Sequence, residues 1–239
     1  LSLHLAVSRA KYGDDAGVAR YLERLVDRVR TVPGVATVGI VNRLPMGGQV
    51  QGGFIQFEGK DARFNTDWRT VSTDYFRALN VPLLAGRAFS ESDTPDRTAV
   101  GLIDERLARI VFAAESPIGK RFKMAFPGTP WIEIVGVVGH VRQEGLDSDP
   151  RPQVYWPHQQ RTQDRMAMVV RTTADPSSLT APIRAAIHEV DPEQPLYDVR
   201  PMPEVLERTL RGRWINTVLI GVFAALALVL ASVGLYGVV

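Results

Sequence analysis

Apolar residues in the first part of the chain recur with the period of an amphipathic helix, between two short apolar runs. Residues 16–31 form the predicted helix, and the Pro33-Gly34 pair ends it. Its apolar face carries Val18, Leu22, Leu25 and Val29. The runs at residues 1–7 and 35–41 have the length and composition of strands. The chain therefore begins with a predicted strand-helix-strand unit.

The same order of elements recurs near the other end of the chain. Strands are predicted at residues 166–170 and 196–199, and Asp175 is placed to cap the helix between them. The apolar face of that helix carries Leu179, Ile183, Ile187 and Val190. Two strand-helix-strand units predict an α+β fold whose terminal parts form a split ferredoxin-like layer, in which two helices back four strands.

Residues 44–163, between the two units, have short β signals separated by glycine and proline. Alternation typical of half-buried strands occurs at Ile55/Phe57 and at Phe122/Met124/Phe126. Residues 132–138 are apolar on both faces, which indicates a central strand. Asp104 is placed to cap one short helix. These signals predict a mostly β insertion carried by the terminal units.

The run from Trp214 to Val239 contains no charged side chain. As a helix with a rise of about 1.5 Å per residue it would be about 39 Å long, against about 30 Å for the bilayer core. We therefore expect a transmembrane helix, with Trp214 as its interfacial anchor. Pro201 and Pro203 open a connecting helix that leads into this span.

Small residues within the predicted span would allow a second helix to approach it closely, because several of them recur four positions apart. The helix-packing candidates are Gly221, Ala225, Ala227, Ala231 and Gly234.

A glycine-rich segment at residues 47–53 has two interpretations. Strand signals rather than a helix follow it, so it lacks the helix N-terminus that an anion site would need. It is either a mobile loop tip or an exposed loop that contacts a partner. The candidate contact residues are Gly47, Gly48, Gln49, Gln51, Gly52 and Gly53.

The composition excludes several classes of protein. The chain has 239 residues, a net charge of +2 and no cysteine, which excludes a disulfide scaffold and a thiolate metal site. Basic residues are scattered among acidic ones, so we expect no nucleic-acid partner. The chain begins at Leu1 rather than at Met and ends within an apolar run, and we expect it to be part of a longer protein.

No catalytic constellation is recognisable in the sequence. The nucleophile elbow and the HExxH zinc motif are absent, and the four histidines lie far apart. Gly119-Lys120 is not a phosphate loop, because Ala114 and Arg121 occupy positions where that motif requires Gly and Ser or Thr. We therefore predict no catalytic, cofactor-binding or metal-binding residue and no enzymatic activity.

Several motifs resemble one family of membrane proteins. Two long stretches carry the resemblance, VSTDYFRALNVPLLAGRAFSESD (Val71–Asp93) and FAALALVLASVGLYGVV (Phe223–Val239). Between them lie SPIGKRF (Ser116–Phe122), IVGVVGHVRQEGLDSDPRPQVYWP (Ile134–Pro157) and VDPEQPLYDVRPM (Val190–Met202). In this order they resemble the permease subunits of MacB/FtsX-type ABC transporters, and most closely the duplicated orphan permeases common in acidobacteria.

The resemblance implies a domain on the periplasmic side of the bacterial inner membrane. Residues 1–43 and 164–203 would be the halves of a porter-type layer, residues 44–163 an inserted subdomain, and residues 204–239 the connecting helix and the start of a membrane helix. A cytoplasmic ABC ATPase would bind ATP and Mg²⁺, so this chain would need no cofactor. The other implied partners are membrane lipid, a second permease copy or half, and a periplasmic adaptor. The implied function is mechanotransmission for efflux or export, in which ATP hydrolysis in the cytoplasm is coupled to movement outside the membrane.

One feature conflicts with this orientation, and other functions stay open. Arg208, Arg211 and Arg213 precede the predicted span, and the positive-inside rule would place them in the cytoplasm, although long domains cross membranes regardless of charge. A membrane-anchored sensor or binding ectodomain is the main alternative. A regulatory FtsX-like permease that acts on cell-wall enzymes is another, and a membrane-anchored hydrolase has the least support.

Overall fold

The computed structural model of the chain describes residues 1–46, 51–113, 115–143, 150–202, 204, 219–224, 226–228 and 230. The strands in these residues are β1 (Ser2–Ala6), β2 (Val35–Val41), β3 (Gly52–Phe57), β4 (Arg63–Val71), β5 (Leu83–Gly86), β6 (Val100–Asp104), β7 (Arg121–Met124), β8 (Ile132–Val138), β9 (Gln153–Pro157), β10 (Arg165–Thr172) and β11 (Leu196–Arg200). The helices are α1 (Arg9–Tyr12), α2 (Asp15–Arg30), α3 (Tyr75–Leu79), α4 (Glu105–Phe112) and α5 (Thr180–Val190). The predicted α+β class is confirmed.

Four strands from the two ends of the chain form an antiparallel layer in the order β11-β1-β10-β2. Helices α2 and α5 pack together on one face of this layer and share one apolar cluster with β1, β2 and β10. Helix α2 begins after Asp14, whose carboxylate accepts a hydrogen bond from the Gly17 amide at 2.9 Å. Leu22 and Leu25 are fully buried, as their helical spacing predicted.

The second helix of the layer begins later than the sequence indicated. Helix α5 starts at Thr180, and Asp175 lies in the preceding turn, where its carbonyl oxygen accepts a hydrogen bond from Ser178 Oγ at 2.7 Å. The predicted cap by Asp175 is therefore wrong. Leu179 occupies the cap position without a capping hydrogen bond, because leucine has no side-chain acceptor, and its side chain is buried in the layer core.

Six further strands close into a barrel in the order β4-β3-β7-β8-β6-β9, because β9 also pairs in parallel with β4. Strand β5 attaches to the edge of β8. Ile55, Phe57 and Phe122 are buried in the barrel core, as their alternation predicted. Phe126 differs from the prediction, since it lies beyond the end of β7 and is 54% exposed.

A second apolar cluster joins the layer to the barrel. Val41 at the end of β2 pairs with Val71 at the end of β4, and α3 packs over β2 and β10. The approach of α3 is close, since a Cβ atom on Gly39 would lie 2.6 Å from Tyr75 Cα. Tyr75 is fully buried in this cluster. The barrel is therefore packed directly against the back of the layer.

Candidate functional site

Clusters of potential metal ligands are absent from the described residues. No group of three or more His, Asp or Glu side chains among them could hold a metal ion. His140 Nδ1 lies 2.5 Å from Asp104 Oδ2, and Asp104 Oδ1 accepts a hydrogen bond from the Leu107 amide at 2.8 Å. Asp104 therefore caps α4, as the sequence predicted, and His140 packs against that cap.

A histidine that sequence reasoning passed over lies where α2 meets the barrel. The side chain of His158 is almost fully buried, and its Nε2 lies 3.8 Å from Glu23 Oε1, too far for a hydrogen bond. Gln159 Nε2 donates to the same Glu23 oxygen at 2.6 Å. Burial lowers the pKa of His158, and the charge of Glu23 acts in the opposite direction. A cavity of about 80 Å³ adjoins this contact between the layer and the barrel.

A buried arginine lies on the barrel side of the same junction. Arg69 is 1% exposed, and its Nη1 donates to the Trp68 carbonyl at 2.8 Å, while Nε donates to Gln143 Oε1 at 3.2 Å. Burial lowers the pKa of Arg69, and Asp67, at 3.8 Å from Nη2, opposes that shift. The sequence does contain a signal for this pair. Asp67 and Arg69 have opposite charges and lie two positions apart in a strand, which places both side chains on one face.

The described part of the glycine-rich segment is fixed against the barrel. The Gln51 carbonyl accepts a hydrogen bond from the Trp68 amide at 2.7 Å. Gly53 is needed there because a Cβ atom would lie 2.8 Å from Trp68 Cζ2, and a Cβ atom on Gly52 would lie 2.5 Å from the Thr66 carbonyl. These two glycines permit close packing. Gly47, Gly48 and Gln49 lie outside the described residues, and the predicted partner contact stays a prediction.

The helix-packing candidates of the predicted span are only partly described. Gly221 and Ala227 are helical and exposed. Trp214, Ala225, Ala231 and Gly234 lie outside the described residues. Within the residues that the structure describes, no helix has both the length and the apolar character needed to cross a membrane.

The first and last strands of the layer lie side by side. Ser2 is paired with Arg200 on β11 and with Val169 on β10, and Ser2 Oγ donates to the Arg200 carbonyl at 3.2 Å. The start of β1 and the end of β11 are therefore at the same end of the layer. Strands β2 and β10, by contrast, lead into and out of the barrel at the opposite end.

The sequence model of the MacB-like periplasmic core domain matches residues 4–190, and this stretch includes part of β1, the layer strands β2 and β10 and the whole barrel. The chain belongs to the MacB-like periplasmic core domain family. The MacB-like domain is thus the periplasmic domain of an ABC transporter permease.

Individual relatives are similar to this MacB-like domain in sequence or in fold. Over 68 residues it is 32% identical to the macrolide export ATP-binding/permease protein MacB 2 of Aeromonas hydrophila, a match that covers 28% of this chain and 10% of that protein. The periplasmic region of MacB from Actinobacillus actinomycetemcomitans has a TM-score of 0.55 at 13% identity, with 86% of this chain and 92% of that one covered. The extracellular domain of the noncanonic ABC-type transporter YknZ from Gram-positive bacteria has a TM-score of 0.50 at 15% identity, covering 79% and 94%.

Proposed function

We propose that this MacB-like domain is the coupling domain of its permease. A cytoplasmic ABC ATPase, which binds ATP and Mg²⁺, moves the membrane helices, and the domain converts that movement into rearrangement on the periplasmic side for efflux or export. The observation that carries the proposal is the pairing of β1 with β11, because it fixes the first strand of the layer to the last one along the chain. A displacement of either attached membrane helix is then applied to the whole layer.

The packing between layer and barrel supports transmission beyond the layer. Tyr75 of α3 is buried between β2 and the barrel, and Val41 pairs with Val71 across the junction. Close-packed protein interiors have low compressibility and transmit displacement. The barrel therefore moves with the layer when the membrane helices move.

The remaining parts of the assembly belong to the same proposal. The four-stranded layer corresponds to a porter-type, split ferredoxin-like unit, and residues 204–239 supply the connecting helix and a membrane helix in the bacterial inner membrane. A second permease copy or half completes the membrane part, and a periplasmic adaptor is a further partner. A rigid connection matters because a flexible linker would absorb a tilt, and no Gly/Ser-rich linker precedes Trp214.

A distance measurement in the assembled transporter tests the coupling. Because the chain has no cysteine, one cysteine at exposed Ala62 gives a specific spin-label site on each of two permease copies. We expect the distance between labels to change when ATP is trapped on the ATPase. Insertion of Gly-Ser-Gly-Ser after Arg211 should abolish this change while ATP hydrolysis continues.

The matched control is the same insertion after Gly59, in the β3–β4 hairpin, where a Cβ atom would meet no other atom within 4 Å. It lengthens the chain equally but leaves the connection to the membrane intact, so the distance change should persist. If the insertion after Arg211 leaves the ATP-dependent distance change intact, the coupling role through this connection is wrong.

A further inference from the structure

The outer face of the barrel carries a row of side chains across four neighbouring strands. Gln56 on β3 pairs with Arg63 on β4 and with Lys123 on β7, and directly opposed residues in an antiparallel pair share a face. Trp131 immediately precedes β8, and the Lys123 ammonium lies 4.8 Å from the centroid of its ring. We name these four residues, Arg63, Gln56, Lys123 and Trp131, the barrel row.

The barrel row carries two cations and no carboxylate. In the neighbouring row, Arg121 Nε donates to Glu58 Oε2 at 2.8 Å and lies opposite Glu133 on β8. Within the described part of the chain, neither Arg63 nor Lys123 is within ion-pair distance of a carboxylate. The two cations lie two strands apart, about 10 Å at the usual strand spacing.

Exposed aromatic surface adjoins the barrel row. Phe54 lies two residues before Gln56 on β3 and therefore on the same face. It is 52% exposed and is paired with Asn65 on β4. Phe126 is 54% exposed at the adjoining rim, where its ring packs edge-on against Trp68 with centroids 6.1 Å apart. Large apolar side chains exposed together beside cations that have no ion-pair partner among the described residues are typical of contact surfaces.

We propose that the barrel row and Phe54 bind an acidic, aromatic- or aliphatic-containing segment of a periplasmic protein partner. Carboxylates of the segment pair with Arg63 and Lys123, and its apolar side chains cover Phe54. The chemistry favours a polypeptide over an anionic glycan, because Lys123 already occupies a face of the Trp131 ring on which a sugar would stack. The inference needs only the periplasmic location of the domain and is independent of the coupling role.

The test measures binding to the full-length permease in lipid nanodiscs. The probe is a short fluorescent peptide that alternates Glu and Phe, and its matched control has Gln in place of every Glu. We expect the acidic peptide to bind at least about tenfold more tightly than the Gln peptide, a difference that corresponds to about 1.4 kcal/mol. Added salt should remove most of this difference, because exposed charges are screened.

Variants locate the binding surface. R63E and K123E should each weaken binding of the acidic peptide severalfold, whereas R165E, an equal charge change on exposed Arg165 of the layer, should not. R63E leaves the Lys123–Trp131 contact intact, so its effect cannot come from loss of that contact. Phe54→Ala should weaken binding without changing its dependence on salt.

Three results would overturn the proposal. The first is no binding of the acidic peptide by the unmodified permease, and the second is equal binding by R63E, K123E and the unmodified protein. The third is displacement of the peptide by polygalacturonate or by vesicles of anionic lipid at equal charge concentration, since the face would then recognise negative charge alone. None of these results bears on the ATP-dependent distance change that tests coupling.

Discussion

The layer and the barrel side of the junction bury different kinds of side chain. The layer core consists mainly of apolar side chains from α2, α5 and three strands. Its buried polar side chains Asp191 and Gln194 lie after the end of α5, and ion pairs such as Arg28–Glu189 lie at its surface. The barrel side of the junction instead encloses the polar side chains of Arg69, Asp67 and Gln153, each at most 1% exposed. An apolar core tolerates substitutions that conserve volume, whereas a buried polar group requires its particular partners. The junction is therefore the part of the molecule with the more exacting geometry.

Removal of one buried charge should show this difference most clearly. Asp67→Asn removes the carboxylate beside Arg69 and should cost about 3–5 kcal/mol of local stability, because a charge in the interior loses its counter-ion. The matched change in the layer, Ile187→Val, removes one buried methyl group and should cost about 0.5–1.5 kcal/mol. Native-state hydrogen exchange of the β4 and β9 amides in the full-length permease measures the first, and exchange in α5 measures the second.

Equal costs for the two substitutions would contradict the comparison. They would show that the hydrogen bonds from Arg69 to Gln143 and to the Trp68 carbonyl are enough to keep its charge in the interior without Asp67.

The close approach of α3 to β2 gives a second, smaller effect. Gly39→Ala places a methyl group 2.6 Å from Tyr75 Cα, so α3 must shift, at a cost of about 1–3 kcal/mol. Ala36→Val in the same strand is the control, because Ala36 is exposed and should tolerate the larger side chain. Hydrogen exchange of the α3 and β10 amides should rise in the first variant alone; unchanged protection in Gly39→Ala would mean that the contact is looser than the structure shows.

The smallest effect concerns pH. The pKa of His158 is lowered in the folded protein, so the unfolded state binds more protons between that lowered pKa and the ordinary value of about 6.5. Stability at the α2 contact is thus complete above about pH 6.5 and decreases as pH falls. His158→Gln should remove this dependence from the α2 amides, after correction for intrinsic exchange.

A control variant separates His158 from other histidines. His4 also has a pKa lowered by burial, although Asp198 opposes the shift, and it lies on β1 away from the barrel. His4→Gln should leave the pH dependence at α2 in place. If it instead abolishes that dependence, His158 is not the group responsible.

Much of the layer could be predicted because its elements are long and have one apolar face. Val18, Leu22 and Leu25 show the helical period over several turns, and observed α2 (Asp15–Arg30) agrees closely with the predicted residues 16–31. The cap of α4 was also legible, since Asp104 directly precedes the apolar run. The predicted cap of α5 by Asp175 was wrong, because buried Leu179, rather than a polar residue, occupies the cap position.

The junction could not be predicted for reasons that are also physical. Helix α3 has five residues, too few to show a period, and Asp74 before it makes no capping hydrogen bond. Closure of the barrel depends on pairing between β4 and β9, which are far apart in the chain and carry no local signal of each other. Burial of Arg69 depends on that closure, and so does the proximity of Arg63 and Lys123 across β3.

The pairing of β2 with β10 has a consequence for how such domains diversify. Val41 and Ala167 are cross-strand partners, so the barrel occupies the position of a hairpin loop between two adjacent strands. The entropic cost of enlarging a loop grows only slowly with its length, so the layer can carry very different insertions at this point. The surface of the barrel can therefore change by replacement of one contiguous segment, while the four strands of the layer keep their sequence and register.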